Sequence, residues 1–415
     1  MNAKERVLTS LDHEEPDRVP IYTSLIDSSD VLQGYGFDDS VRLTQGSAVE
    51  QLKSASKLPG WRKIVKSTVN RRSTLETGAK KSVELFKKIG TDLVTLPIMA
   101  FPIGKSAGFG ISKPGINTPD YSNYADEFGR IFHLYYDKES GLGLVNYVGG
   151  MFDSTTGDLE EIISKYDKWA PLDPTIKTRY FHYEAGVKHS KEIDGPYVIP
   201  GLGGLMEVAW QAFGFENYSR LLFEYPDFIE RLTNDREEFS KGLLEILIDK
   251  YNIEVAFVWD DLGYKTGTFI SPRLYKKLVY PRMKNLVDYC HKNGVKLIHH
   301  TCGNINGILS EVINTGIDGL NPLEPAASMD PFQIKRDYRD KITIVGNVDT
   351  IHLLAKGTPE EVKAYVKKLI KCCAPGGGLI VASGHSINPA VPFENYKAMI
   401  DAVYKYGTYP IEIDD

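Results

Sequence analysis

A histidine and a cysteine, two residues apart, end an apolar run that begins at Val295, and a glycine follows them. If this run is a β-strand, its side chains alternate between two faces, so His300 and Cys302 point the same way. Neutral imidazole and thiolate are ligands that zinc prefers, whereas calcium and magnesium require clustered oxygen atoms. The pair therefore predicts two ligands of one zinc ion. The alternative is a pair of buried side chains, with the cysteine acting as a small hydrophobe.

A third zinc ligand is expected from another strand end. His385 follows a glycine after the last apolar run of the chain, and closure of the fold would bring it to His300 and Cys302. Three protein ligands leave the fourth position of zinc open for substrate, which is typical of a catalytic site. The alternative for His385 is a place at a helix N-terminus or facing a phosphate. Other candidates for the third ligand are Glu324, an aspartate, and Cys372 or Cys373.

Further polar residues follow other apolar runs and are candidates for catalysis and substrate binding. Asp260 and Asp261 are predicted to be catalytic, as a general base, a partner that orients a ligating histidine, or a clamp on the substrate. Their alternative role is to cap a helix or brace a loop. Tyr264, Glu324 and Asn347 are predicted to contact the substrate. The alternative for Asn347 is to satisfy buried backbone groups.

Eight short apolar runs alternate with helical patterns such as Pro272 to Lys292 and Pro359 to Cys373. Continuous apolar strands between helices indicate a parallel sheet that is covered on both faces. Eight such units predict an α/β fold, a (β/α)8 TIM barrel with its function at the C-terminal strand ends, and a doubly wound sheet is the alternative. The predicted strands are Val19–Ile26, Asp92–Met99, Tyr197–Leu202, Val255–Asp260, Val295–Thr301, Gly319–Glu324, Ile342–Val348 and Leu379–Ser383.

Two segments interrupt this alternation within what is interpreted as one domain over residues 1–415. Residues 101–152 are rich in Gly, Tyr and Ser and contain two β-like runs, Arg130 to Asp137 and Leu142 to Val148. They predict a β-hairpin insertion after the second strand, serving as a lid over the barrel or as an interface, for example in a homodimer. Residues 34–81 form an N-terminal extension that is interpreted as helical.

Composition excludes several classes of protein. The chain has 415 residues, 42% hydrophobic and 25% charged, with a net charge of −6, so it can bury a large core and has no electrostatic footprint for nucleic acid. No apolar run approaches the about 18 residues that a membrane span needs. Its four cysteines form no disulfide framework, and the first residues lack the apolar core of a signal peptide, so a cytoplasmic location is expected.

Several motifs, spread over most of the chain, together resemble the uroporphyrinogen decarboxylase superfamily. The resemblance implies a (β/α)8 barrel with the site at its C-terminal mouth. The motifs are Arg6-Val-Leu, Pro16-Asp-Arg-Val-Pro20, Asp260-Asp-Leu-Gly263, Ile270-Ser-Pro-Arg-Leu-Tyr275, His300-x-Cys-Gly303, Asn321-Pro-Leu-Glu324, Gly346-Asn-Val-Asp349, Gly384-His-Ser-Ile387 and Pro392-x-Glu-Asn395.

Two departures favour one branch of that superfamily. The decarboxylases carry an arginine-rich segment after strand one and an aspartate after strand two. Here Ser24 to Asp30 is acidic without arginine, and Leu96 to Met99 contains no aspartate. The chain is therefore more similar to the corrinoid-dependent methyltransferases, such as the methylcobalamin:coenzyme M methyltransferases. A decarboxylase and a non-catalytic binding barrel are the alternatives.

The resemblance to the methyltransferases implies the chemistry of the site. That branch binds zinc through His-x-Cys and a distant cysteine, and His385 stands at the place of that cysteine. An imidazole in place of a thiolate leaves the ion a stronger Lewis acid, which suits a methyl ether. The implied function is methyl transfer between a small methyl donor and the cobalamin of a partner corrinoid protein, because the chain has no cobalamin-binding signature. O-demethylation of a methoxylated aromatic compound is expected.

Overall fold

The computed structural model of the chain describes residues 1–38, 52–98, 102–112, 120–137, 142–153 and 157–413. The strands in these ranges are β1 (Ile21–Tyr22), β2 (Leu93–Pro97), β3 (Gly108–Phe109), β4 (Asn123–Ala125), β5 (Arg130–Asp137), β6 (Leu142–Gly150), β7 (Tyr197–Gly203), β8 (Val255–Trp259), β9 (Gly263–Tyr264), β10 (Gly267–Thr268), β11 (Lys296–His300), β12 (Gly319–Asn321), β13 (Thr343–Val348) and β14 (Leu379–Ser383).

Eight of these strands close into a parallel barrel in the order β1-β14-β13-β12-β11-β8-β7-β2, and β2 pairs with β1 to complete it. This arrangement confirms the predicted (β/α)8 barrel. Every residue of β13 and β14 is buried, as expected for parallel strands that are covered on both faces. Side chains that include Phe257, Ile298 and Val345 fill the barrel interior.

Helices cover the outside of the barrel. Among the described residues, no helix is long and apolar enough to cross a membrane. The predicted helix Pro359–Cys373 has those bounds, whereas the pattern from Pro272 forms two helices because Pro281 starts the second one. The helices are α1 (Ala3–Leu11), α2 (Ser29–Gly34), α3 (Trp61–Val69), α4 (Arg72–Ile89), α5 (Leu159–Asp167), α6 (Phe181–Ile193), α7 (Glu207–Phe213), α8 (Phe215–Glu224), α9 (Pro226–Tyr251), α10 (Pro272–Leu278), α11 (Tyr280–Lys292), α12 (Leu309–Asn314), α13 (Pro331–Tyr338), α14 (Pro359–Cys373) and α15 (Phe393–Tyr406).

The insertion after β2 forms a four-stranded antiparallel sheet in the order β3-β4-β5-β6. Its strands β5 and β6 are the predicted hairpin, although the connection at 138–141 lies outside the described residues. The sheet packs on helix α7, where the hydroxyl of Tyr147 donates to the backbone oxygen of Gln211 at 2.8 Å. The insertion therefore lies beside the barrel end at which β7 finishes. The N-terminal extension, residues 34–81, is helical in α3 and in the first part of α4, and residues 39–51 lie outside the described part.

A buried histidine in α6 is expected to make the fold sensitive to acid. Both ring nitrogens of His182 are buried without a hydrogen-bond partner, and burial lowers its pKa from 6.5 to about 4. Between these two pKa values the unfolded chain binds more protons than the folded one, so stability falls as the pH falls. His182→Met should reduce this slope by up to about 1.4 kcal/mol per pH unit, measured by urea denaturation from pH 7 to pH 4.5. Replacement of the exposed His352 by Gln is the control, and an unchanged slope in His182→Met would contradict the prediction.

Candidate metal centre at the barrel mouth

Strand β11 and the turn that follows it bring His300 and Cys302 together. The Sγ atom of Cys302 lies 3.5 Å from Nε2 of His300. A tetrahedral zinc ion with bonds of about 2.0 Å to nitrogen and about 2.3 Å to sulfur places two such ligands about 3.5 Å apart. The turn needs glycine at position 303, because Gly303 has φ +87° and a Cβ atom would lie 2.3 Å from the backbone of Gly263. The spacing of the pair therefore fits one ion.

The imidazole of His300 is oriented by Asn321, which ends the neighbouring strand β12. Nδ1 of His300 lies 2.6 Å from Oδ1 of Asn321, and Nδ2 of Asn321 donates to the backbone oxygen of Val345 at 2.7 Å. Because the asparagine oxygen must face the ring, Nδ1 of His300 carries the proton and donates it. Nε2 is left with a free lone pair toward Cys302, which is the arrangement found for histidines that bind metals.

Asp261 supplies a third donor to this pair. Its Oδ1 atom accepts the backbone N–H of Cys302 at 2.7 Å and lies 3.7 Å from Nε2 of His300. One ligand atom from each of Asp261, His300 and Cys302 lies within 4.8 Å of the other two. The three residues together offer oxygen, nitrogen and sulfur donors, a set that suits zinc better than calcium or magnesium.

Burial at this site disfavours the charged forms of its ligands when no cation is present. Burial raises the pKa of Cys302 well above its ordinary value, and the nearby carboxylate of Asp261 adds to the rise. Burial also raises the pKa of Asp261, while the N–H of Cys302 and then the charge of His385 oppose the rise. A divalent cation among these groups would stabilise the thiolate and the carboxylate together.

The structure does not bring Asp260 into this group. Asp260 is fully buried, and its carboxylate accepts the backbone N–H groups of Leu205, Met206 and Glu207 at 3.0, 2.9 and 2.7 Å. Burial raises its pKa to about 7, and these hydrogen bonds oppose the rise. Both carboxylate oxygens accept backbone N–H groups at the start of α7, which fits the alternative role of capping a helix, and the catalytic role of Asp260 stays a prediction.

The group of donor atoms within 4.8 Å of one another does not include His385, whose role as the third ligand stays a prediction. Its side chain is exposed, and Nδ1 lies 2.9 Å from the hydroxyl of Ser386 in the same loop. The side chain lines a cavity of about 270 Å³ together with Glu324, Asp349 and Asn388. The loop after β14 thus turns His385 toward this cavity, and Asp261 takes the place beside His300 and Cys302.

The three residues predicted to contact the substrate differ in their placement. Glu324 lines the cavity beside His385 and accepts the N–H of Gly303 at 2.9 Å. Tyr264 is 63% exposed on the β9–β10 hairpin. Asn347 is fully buried, donates to the oxygen of Leu323 at 3.0 Å and accepts the hydroxyl of Tyr365 at 2.8 Å. Both ends of the Asn347 amide have partners, which fits the alternative that it satisfies buried groups, and its contact with the substrate stays a prediction.

Two residues of the centre were not predicted from the sequence. Asn321 orients His300. The feature of the sequence that could have identified Asn321 is its position at a strand end, in the same motif as Glu324. Glu207 accepts the N–H of Asp261 at 3.3 Å and the amide of Gln211 at 2.9 Å. Burial raises the pKa of Glu207, and the charge of Asp261 adds to the rise. The only feature of the sequence that could have identified Glu207 is its position in the first turn of the helix that follows β7.

Comparisons with known proteins identify relatives of this chain. A family model described as uroporphyrinogen decarboxylase matches residues 154–406. The methylcobamide:CoM methyltransferase MtaA of Methanosarcina barkeri is 24% identical over 238 residues, covering 57% of this chain and 67% of that protein. MtbA of Methanosarcina acetivorans, of the same description, is 28% identical and covers 41% of this chain and 51% of that protein.

The chain is also similar to a uroporphyrinogen decarboxylase and, in its fold, to one solved structure. The uroporphyrinogen decarboxylase of Coxiella burnetii is 26% identical over 191 residues, covering 45% of this chain and 50% of that protein. The structure of a methyltransferase from Methanosarcina mazei covers 98% of this chain and 99% of its own, with a TM-score of 0.61 and 18% identity. This likeness supports the barrel fold. The chain thus spans about half to two thirds of these curated relatives.

Proposed function

The chain belongs to the uroporphyrinogen decarboxylase family, and on this premise we propose that it is a zinc-dependent methyltransferase that exchanges a methyl group with a corrinoid protein. The observation that carries the proposal is the set of donors from Asp261, His300 and Cys302 at the barrel mouth. A decarboxylase of this family would not need these ligands, and it would need the arginine-rich segment that is missing from Ser24 to Asp30. The methyltransferase relatives point the same way.

Asp261, His300 and Cys302 would hold the zinc ion, and Asn321 would keep His300 in the tautomer that binds it. A zinc ion there would supply a Lewis acid that polarises the heteroatom bearing the methyl group. The protein's own contribution is orientation. Asn321 fixes the ring of His300, and the N–H of Cys302 fixes the carboxylate of Asp261.

The substrate that this site suits best is a methoxylated aromatic compound. Trp210 lies one helical turn after Glu207 on α7, so the two side chains share a helix face. The ring of Trp210 lies 6.1 Å from that of Phe215 and 5.2 Å from that of Phe269, and 6.2 Å from that of Tyr147 of the insertion. An aromatic wall therefore starts beside Asp261, which Glu207 contacts.

The corrinoid protein would dock on the rim of the barrel mouth. Three loops that follow barrel strands each expose a large apolar side chain there: Leu25 after β1, Tyr264 after β8 and Ile351 after β13. Their exposed fractions are 51%, 63% and 36%. Each of these side chains offers an apolar contact at the end of the barrel where the corrinoid protein would approach the candidate metal centre.

The test combines metal removal with an assay of methyl transfer. The purified protein should contain close to one zinc per chain and should form methylcobalamin from free cob(I)alamin and a methoxylated aromatic compound. Chelation should abolish this transfer, and added zinc should restore it, because the Lewis acid is removed and returned. Methylamines, methanol and methylated thiols are the comparison donors.

Three outcomes would contradict the proposal. A protein that carries no zinc even after expression in zinc-supplemented medium would lack the centre. Decarboxylation of a porphyrinogen that continues after chelation would assign the chain to the decarboxylase branch. A protein with zinc that transfers no methyl group from any donor of the panel would favour the binding barrel instead.

A further inference from the structure

A second cavity lies on the flank of the barrel, away from the metal centre. Its volume is about 490 Å³, which is in the range of pockets for small molecules. Helix α9 forms one wall, and the segment from the end of α5 to Pro174 forms the other. The lining includes Tyr166, Trp169, Leu172, Arg236 and Phe239.

Arg236 lines this cavity as a buried cation without a direct partner. Its side chain is only 2% exposed. Its Nε atom is buried without a hydrogen-bond partner, and the guanidinium forms no ion pair or hydrogen bond with the residues that the structure describes. A buried charge costs several kcal/mol unless it is paired. The cost would fall if an anion entered the cavity and accepted hydrogen bonds from Arg236.

Three of the four acidic residues of the lining have partners among the described residues, and the fourth, Glu238, is exposed to solvent. Glu127 binds both terminal nitrogens of the buried Arg179 at 2.6 and 2.7 Å. Asp167 accepts from Arg231 at 2.8 Å. Asp235, in turn, accepts the hydroxyl of Tyr166 at 3.2 Å. These carboxylates therefore act on Arg236 only through space, and the hydrogen-bonding capacity of its guanidinium remains unused.

Aromatic and apolar side chains form the rest of the cavity. Phe239 lies one helical turn after Arg236 on α9, so both face the same wall. The guanidinium of Arg236 lies 4.9 Å from the ring centre of Phe128, which packs edge to face on Phe239 at 5.8 Å. Trp169, Pro171 and Leu172 line the opposite side. A ligand with a flat apolar body and one anionic group matches these walls.

We propose that this cavity is a binding site for a small aromatic carboxylate, whose carboxylate pairs with Arg236 and whose ring packs beside Phe239. The site is separate from the metal centre. Its ligand therefore binds whether or not zinc is present, and the proposal does not depend on the reaction that the barrel mouth performs.

The probe for this site is benzoate, and its neutral analogue benzamide is the comparison ligand. Isothermal titration calorimetry with the full chain should show one benzoate bound per chain, and benzamide should bind at least about tenfold more weakly because it has no charge to pair with Arg236. Arg236→Gln should weaken benzoate binding by a similar factor. Arg72→Gln is the matched control and should leave benzoate binding unchanged, because Arg72 is exposed, pairs with Glu76 and does not line the cavity.

Thermal denaturation separates loss of the site from loss of the fold. Arg236→Gln removes an unpaired buried charge, so the ligand-free variant should melt at or above the wild-type temperature, while the increase that benzoate gives the wild type should disappear. His300→Ala should bind benzoate like the wild type, so failure at the metal centre and failure here are distinguishable. Equal affinity for benzoate and benzamide, unchanged binding in Arg236→Gln, or no binding to the wild type would each overturn the proposal.

Discussion

Replacement of Cys302 by alanine is expected to abolish zinc binding and methyl transfer. The thiolate is the softest of the three donors, and its loss leaves one imidazole and one carboxylate, too few ligands to hold the ion tightly. Zinc content, measured by atomic emission spectroscopy after dialysis, should fall from close to one per chain to background. The rate of methylcobalamin formation should fall by at least about 100-fold.

Three further variants identify the ligand set. Cys372→Ala is the matched cysteine control, since Cys372 is exposed on α14, and it should retain zinc. Asp261→Ala should lose zinc, whereas His385→Ala should keep it, because the side chain of His385 turns to Ser386. If His385→Ala lost its zinc and Asp261→Ala did not, the third ligand would be His385 and the arrangement described here would be wrong for the loaded protein.

Replacement of Asp260 by alanine is expected to destabilise the barrel strongly. The change leaves the backbone N–H groups of Leu205, Met206 and Glu207 without their acceptor in a buried place. Each unsatisfied group costs about 1–3 kcal/mol, so with three such groups the free energy of unfolding should fall by at least about 3 kcal/mol in urea denaturation. Asp260→Asn keeps one acceptor oxygen and should lie between the wild type and Asp260→Ala.

Asp330→Ala provides the matched control for this loss of stability. Asp330 also accepts backbone N–H groups at a helix start, those of Phe332 and Gln333, but it is exposed. Because water can replace its carboxylate, its removal should cost only about 1 kcal/mol. Equal destabilisation by Asp330→Ala and Asp260→Ala would show that the burial of Asp260 has no special effect.

The barrel could be predicted from the sequence because its strands coincide with short apolar runs. The run from Val295 contains β11, and the run from Leu379 to Ser383 is β14 itself. Six of the eight predicted strands are longer than those observed, β12 and β1 among them. Strand β12 ends at Asn321 instead of Glu324, since Pro322 has no N–H to continue the ladder. Strand β1 keeps only Ile21 and Tyr22 of the predicted run.

The metal centre could be predicted only in part. The alternation of a strand was enough to pair His300 with Cys302, which are two residues apart. The third donor depends on how loops turn, and a glycine before a histidine does not reveal that His385 faces Ser386. No periodic pattern distinguishes Asp260, which faces helix α7, from Asp261, which faces Cys302. The sequence therefore predicts the same candidate roles for both aspartates.

The hydrogen bonds of Asn321 tie the metal centre to three neighbouring strands. Asn321 ends β12, accepts from His300 on β11 and donates to Val345 on β13. The imidazole of His300 therefore has the orientation described above only when all three strands are paired in this register. A chain whose barrel is still open on this side would offer the same residues without their mutual orientation. We therefore expect the ion to bind after the barrel has closed. Metal binding would then follow folding and would not nucleate it.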